Sequence, residues 1–220
     1  MVYWSPRLAQ AYACDRPALH AVQLSGFLKP GFTRALDVGC GAGLSARALL
    51  PYARHVVGLE PSLTMLRYRL PGVSYVAAFC EHIPFRDNSF DLITAAGSLN
   101  YASRDLSLRS IMRVLAPGGT FVLYDFWCAA FPSWWSDFRS RYPASPGYDM
   151  ERLSFMEYAD IQLLGYAMSE TNVEEALMRG VPLESIREWC LSSLTPLFAT
   201  GAVEIGFAGY VAMYQSPAQV

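Results

Sequence analysis

Short apolar runs recur along the first half of the chain, each bounded by turn-forming residues. Residues 34–38 (RALDV), 55–59 (HVVGL), 73–79, 90–95 (FDLITA) and 120–124 (TFVLY) are too short for buried helices and read as strands. Between them, residues 44–50, 62–70 and 106–115 carry the wider apolar spacing of helices. The last of these stops at Ala116-Pro117-Gly118-Gly119, a helix-ending turn. Strand alternating with helix over residues 34–125 predicts right-handed crossovers and a parallel sheet, a doubly wound α/β core.

The rhythm differs at both ends. Residues 1–30 hold aromatic and helix-forming positions and predict one or two helices, an N-terminal helical cover ending near Lys29-Pro30-Gly31. Residues 127–160 are rich in Trp, Phe and Tyr among Pro and Ser, and read as an insertion covering a substrate. Helical segments at 172–179 and 183–194 precede residues 203–214, a final strand expected to run antiparallel at or near the sheet edge. A chain of 220 residues organised this way is expected to form a single domain over 1–220.

Composition narrows the function. Hydrophobic residues make up 53% and charged ones 16%, so the chain is not disordered and buries or binds something apolar. The net charge of -2 arises from scattered single charges, which leaves no basic stripe for nucleic acid. No apolar stretch reaches the roughly 20 residues a membrane span needs, and the N-terminus does not read as a secretion signal, so the expected location is cytoplasmic. Cys14, Cys40, Cys80, Cys128 and Cys190 lack C-x-x-C spacing, which points away from disulfides and from a metal site, and they are expected to be small buried hydrophobes.

The candidate chemistry lies at residues 36–44, Leu-Asp-Val-Gly-Cys-Gly-Ala-Gly-Leu, where a strand runs into a glycine turn that opens a helix. Glycines there let backbone approach a ligand at the carboxyl edge of the sheet. Glu60 ends the next strand, 21 residues after Gly39, where a carboxylate can accept both hydroxyl protons of a ribose. A dinucleotide site uses G-x-G-x-x-G to meet a pyrophosphate, whereas Gly39-x-Gly41-x-Gly43 follows the carboxylate of Asp37, which repels a pyrophosphate and suits a cation.

The ordered segments LDVGCGAG, VVGLEPS, FCEHIPF, SFDLITA and RVLAPGGTFVL resemble the successive motifs of class I S-adenosylmethionine-dependent methyltransferases. Within that class they look most like the small-molecule branch that includes the ubiquinone and menaquinone methylating enzymes. The resemblance covers residues 30–125 well and residues 203–214 more loosely. It implies a mostly parallel, seven-stranded, Rossmann-like sheet with helices on both faces and the last strand antiparallel.

The resemblance further implies that Asp37 serves the methionine amino group of the cofactor, directly or through water. Gly39, Cys40, Gly41 and Gly43 would wall the cofactor, and Glu60 would hold its ribose. Pro61, Ser62 and Met65 could flank the adenine, with Met65 at a helical spacing that fits core equally well. Ala96 matches a position whose carbonyl faces the methionine moiety, and Tyr12 from the N-terminal cover joins the cofactor set. Where relatives commonly carry Asp before A-E-x-x-P-F, this chain has Phe79, so adenine recognition would rest on backbone near Cys80 with Phe79 packing on the ring. Glu81 is assigned to the same subsite, with a solvated loop residue as the alternative.

Methyl transfer from a sulfonium is an in-line displacement that depends mainly on alignment and exclusion of water, so a catalytic base is optional. Asp125 is the preferred base because it ends a strand at the carboxyl edge; Tyr101 is the second, with Tyr124 and His20 also candidates. The expected substrate is a small, largely apolar or aromatic molecule accepting methyl on O, N or C, and the expected assembly is a possible homodimer. Two other readings remain open: an NAD(P)-dependent oxidoreductase using Gly41-x-Gly43-x-x-Ala46, and a protein of the same fold that acts as a cyclase or decarboxylase.

Overall fold

A computed structural model of the chain describes residues 4–128, 134, 137, 140–141, 153–158 and 160–218. The chain divides into two compact units, one of residues 1–4, 18–125 and 211–220, the other of residues 5–17 and 126–210.

The first unit contains helix α2 (Leu19–Ser25) and then an alternating series: β1 (Phe32–Val38), α3 (Leu44–Arg47), β2 (Ala53–Leu59), α4 (Leu63–Leu66), β3 (Ser74–Val76), β4 (Phe90–Ala96), α5 (Arg104–Val114) and all but the last three residues of β5 (Leu115–Cys128). Strands β1 to β5 pair in parallel, β1 lying between β2 and β4. With β6 (Leu153–Tyr158) and β7 (Val203–Gln215), which pair antiparallel, the sheet order is β3-β2-β1-β4-β5-β7-β6. The doubly wound, mostly parallel, seven-stranded sheet expected from the sequence is therefore present.

Its core on one face joins Leu36 and Val38 of β1, Leu59 of β2 and Ile93 of β4 to Ile111 and Val114 of α5. Helix α5 also turns Ser107 and Ser110 inward. These serines are satisfied by the loop after β3: Ile83 N–H donates to Ser110 Oγ at 3.0 Å, and Cys80 Sγ meets Ser107 Oγ at 3.2 Å. That docking leads residues 77–79 away from the sheet towards a 3-10 turn at Cys80–His82, so β3 is shorter than the apolar run predicts.

Other boundaries shift for local reasons. β1 begins earlier than expected because Thr33 and Arg34 N–H donate to the Asp91 carboxylate at 2.7 and 2.8 Å. α3 is shorter, since the amides of Leu49 and Leu50 turn to carbonyls three residues back ahead of Pro51. The helix-ending turn at 116–119 lies inside β5 as a register shift opposite Phe90 and Leu92. Gly118 N–H donates to Pro217 O at 3.1 Å and Ser216 N–H to Gly119 O at 2.8 Å, tying that irregularity to the chain beyond β7.

The second unit holds α1 (Pro6–Asp15), β6, α6 (Asp160–Met168), α7 (Thr171–Met178), α8 (Leu183–Leu194) and most of β7. Ser5 caps α1 by accepting from Leu8 N–H. Two ion pairs at 2.8 Å, Arg7–Glu174 and Arg16–Glu170, hold α1 to α7 and to the residue before it. The Arg16 guanidinium also lies over the rings of Tyr12 and Tyr166, 4.7 and 4.8 Å from their centroids.

Much of the aromatic stretch expected to cover a substrate lies outside the described residues. Within it, Trp134 is buried, stacks on Trp189 at 6.1 Å and donates its indole N–H to Ser193 at 2.8 Å. β6, at the end of that stretch, is a strand that the pattern of apolar positions does not predict, nor does it predict α6 after it. No helix among the described residues is long and apolar enough to cross a membrane. Cys40, Cys128 and Cys190 are buried and Cys80 is half-buried, but Cys14 is exposed, against the expectation that all five are buried.

Candidate cofactor and active site

The glycine turn leaves β1 at the carboxyl edge of the sheet, where the parallel strands β2, β4 and β5 also end. Gly39 and Cys40 N–H both donate to Leu59 O, at 2.8 and 3.0 Å, so the turn is anchored to the end of β2. Gly39 has φ +71, and a Cβ there would run into Ser98 Cβ; Ser98 Oγ in turn donates to Val38 O at 2.5 Å. The loop after β4 is thus packed directly on the glycine turn. Gly43 has φ +96, and a Cβ there would run into the Tyr75 hydroxyl.

Asp37 is fully buried on β1. Its two carboxylate oxygens accept from Ser45 Oγ of α3 and from Thr94 Oγ1 of β4, the latter at 2.7 Å. Burial raises its pKa from the ordinary 3.8 to about 6, against the pull of those two hydroxyls. The carboxylate is therefore closed off from direct contact with solvent, and its charge reaches the surroundings through Ser45 and Thr94. Ser45 and Thr94 were not picked out from sequence; the parallel register Asp37↔Thr94 is the signal that joins one of them to the site.

Glu60 immediately follows β2 and is also buried. Its Oε2 accepts from Gly41 N–H at 3.0 Å and its Oε1 from Ser62 N–H at 2.8 Å, while burial pushes its pKa up. Glu60 thus reaches back to the glycine turn that Asp37 precedes. Both acids lie within electrostatic reach of the Cys40 thiol; burial and then the two carboxylates push that thiol far above its ordinary range, which keeps it a neutral wall of the turn.

The remaining expected residues divide. Pro61 is exposed, Ser62 half-buried, and Met65 sits in the core at 1% exposure, the packing role its helical spacing allowed. Phe79 is 50% exposed just before the Cys80–His82 turn. Glu81 Oε1 accepts from Ser103 N–H at 3.0 Å, at the start of α5; burial opposes its ionisation, but the hydrogen bonds to it win and hold its pKa low. Ala96 pairs in register with Tyr124 at the ends of β4 and β5.

Asp125 follows Tyr124, and its carboxylate lies over Gly97, where a Cβ would meet Oδ1 at 2.7 Å. Tyr101 is 53% exposed on a 3-10 turn after β4. Tyr124 is fully buried and its hydroxyl meets Nδ1 of His20 at 3.0 Å, so this pair forms a sealed contact between β5 and α2. Tyr12 lies on α1, in the second unit. Among the described residues no group of three His, Cys, Asp or Glu could hold a metal ion.

A mostly parallel 3-2-1-4-5-7-6 sheet, with a glycine turn after β1 flanked by two buried acids, defines the class I methyltransferase fold. Residues 36–123, which span the strands that build the site, match the family model described as a methyltransferase domain.

Among curated proteins it is similar to a ubiquinone/menaquinone biosynthesis C-methyltransferase of Shewanella sp. (strain W3-18-1), 37% identical over 125 residues, covering 49% of this chain and 47% of that protein. It is also similar to a demethylmenaquinone methyltransferase of Clavibacter sepedonicus, 39% identical over 100 residues, 42% of this chain and 41% of that protein. The chain spans about half the length of the curated relatives it matches. Among solved structures, one provisionally assigned as a type II methyltransferase from Anaeromyxobacter dehalogenans shares the fold with a TM-score of 0.69 at 18% identity, over 92% of this chain and 97% of that one. The [4+2]-cyclase SpnF shares it with a TM-score of 0.52 at 17% identity, over 92% of this chain and 81% of that one, so one fold accommodates both kinds of protein.

Proposed function

We propose that the chain binds S-adenosylmethionine and transfers its methyl group to O, N or C of a small, largely apolar or aromatic acceptor. The observation that carries this reading is where the glycine turn sends its N–H groups. Gly39 and Cys40 donate to Leu59 O, Gly41 to Glu60, and Gly43 to Cys40 O, so these amides are committed within the protein and form no nest for a diphosphate. What the turn offers instead is bare glycine surface beside two buried carboxylates, a donor set suited to a cationic sulfur nucleoside and hostile to NAD or NADP.

When bound, S-adenosylmethionine supplies a methyl group on a positively charged sulfur. Gly39, Cys40, Gly41 and Gly43 wall it, and Glu60, whose oxygens each retain a lone pair, takes the ribose hydroxyls. Asp37 acts at one remove, through the electrostatic field of a carboxylate held by Ser45 and Thr94. Pro61, Ser62, Phe79 and backbone near Cys80 border the adenine, and Ala96 lies along the methionine side. Where the acceptor loses a proton as the methyl bonds to it, Asp125 is the preferred base, with Tyr101 second. The names of the curated relatives support a quinone-like or phenolic acceptor, and the 53% hydrophobic composition suits one.

Calorimetry with S-adenosylhomocysteine and with NAD tests the cofactor, with binding expected for the first alone. Methyl-labelled S-adenosylmethionine incubated with phenolic, hydroquinone and amine acceptors tests the reaction. Binding without labelled product from any acceptor would favour a non-methylating protein of this fold.

A further inference from the structure

Gly58 lies inside β2, away from any turn, where glycine weakens a strand unless a neighbour comes too close for a side chain. Here the neighbour is Tyr75. The β2–β3 register pairs Gly58 with Tyr75, and a Cβ on Gly58 would meet the Tyr75 ring at 3.0 Å and Cys40 Sγ at 2.6 Å. Passing over that gap, the Tyr75 hydroxyl reaches Gly43, the last glycine of the turn, whose missing Cβ leaves it room.

The hydroxyl is also fixed at both its functions. It donates to Leu70 O at 3.0 Å and accepts from Leu70 N–H at 3.1 Å, and the same Leu70 N–H donates to Ala42 O at 3.1 Å. Burial raises the Tyr75 pKa to about 12, so the hydroxyl keeps the proton it donates. One side chain therefore links β3, the segment after α4 and the glycine turn at residues 42 and 43.

We infer that Tyr75 is a positioning residue for the cofactor, fixing the glycine turn where it faces the amino-acid portion of an adenosyl sulfonium. The inference rests on the cofactor reading above and assigns a new residue to that site. Tyr75 acts through Gly43 and Ala42 and has no contact with the reacting atoms. A Phe at 75 keeps the ring against Gly58 and Cys40 and removes only the hydroxyl.

Three measurements on Tyr75→Phe test it: amide exchange at residues 41–43 in the ligand-free protein, and affinities for S-adenosylhomocysteine and 5′-methylthioadenosine. The second ligand shares the nucleoside and sulfur but lacks the amino-acid portion. Exchange is expected to quicken and the S-adenosylhomocysteine dissociation constant to rise about three- to tenfold, the usual worth of one hydrogen bond, with 5′-methylthioadenosine changed by less than about twofold. Unchanged exchange, or equal weakening of both ligands as general loosening would give, overturns the inference. Wild-type protein that binds neither ligand overturns the cofactor reading instead, and the exchange rates, which need no ligand, still decide whether Tyr75 braces the turn.

Discussion

Glu60 is the residue on which binding turns most directly. Its two oxygens hold Gly41 and Ser62 by backbone hydrogen bonds, and the ribose would add charged bonds to the same carboxylate. Glu60→Ala is expected to weaken S-adenosylhomocysteine by about 1.5–3 kcal/mol, roughly ten- to a hundredfold, read by calorimetry. Asp37 makes a different prediction, because it is buried with a pKa raised to about 6 from 3.8. The folded protein then holds a proton that the unfolded chain has released, so this group lowers stability as pH rises between about 4 and 6. Asp37→Asn removes that dependence. Urea titrations at pH 4 and pH 7 should find wild type losing on the order of 2 kcal/mol relative to the variant on going to the higher pH. A gap that stays constant would mean Asp37 is ionised throughout.

At the scale of elements, α5 and the turn it carries illustrate what was legible in sequence. The strand-helix alternation and the β1 glycine turn could be read because each rests on local chemistry: an apolar run, a punctuating glycine, an acid at a strand end. Ser107 and Ser110 could not, because polar residues on a buried helix face make sense only once Cys80 and Ile83 arrive from another segment. β6 was missed for a related reason. Its six residues lie in an aromatic stretch with no strand-helix rhythm, and the strand is defined by antiparallel pairing with β7 some 50 residues on. Asp37 was recognised, but its hydroxyl partners depended on strand register. Ser110→Ala tests the docking of the turn. It strands the buried Ile83 N–H and should cost about 1–3 kcal/mol in urea unfolding, while speeding exchange at residue 83. A loss within error would mean that solvent or a neighbour replaces the serine.

For the whole molecule, ligand linkage separates the two nucleotide readings without any substitution. A ligand that binds only the folded state stabilises it by RT ln(1 + [L]/Kd), about 2.7 kcal/mol at a hundredfold excess over Kd. A kilocalorie per mole shifts the midpoint by roughly 2–4 °C at this size, so S-adenosylhomocysteine at that excess should raise it by about 5–11 °C. NAD and NADP at equal concentration should leave it in place, since the amides of residues 39–41 and 43 are already bonded within the chain. The size of the shift carries further information because the chain forms two compact units. If they unfold as one cooperative transition, the entire melting curve moves with ligand. Should they melt separately, only the transition of the unit containing the glycine turn moves, and scanning calorimetry would resolve two peaks of which one responds. A rise with NAD and none with S-adenosylhomocysteine would reverse the assignment, and with it the roles given to Asp37 and Glu60.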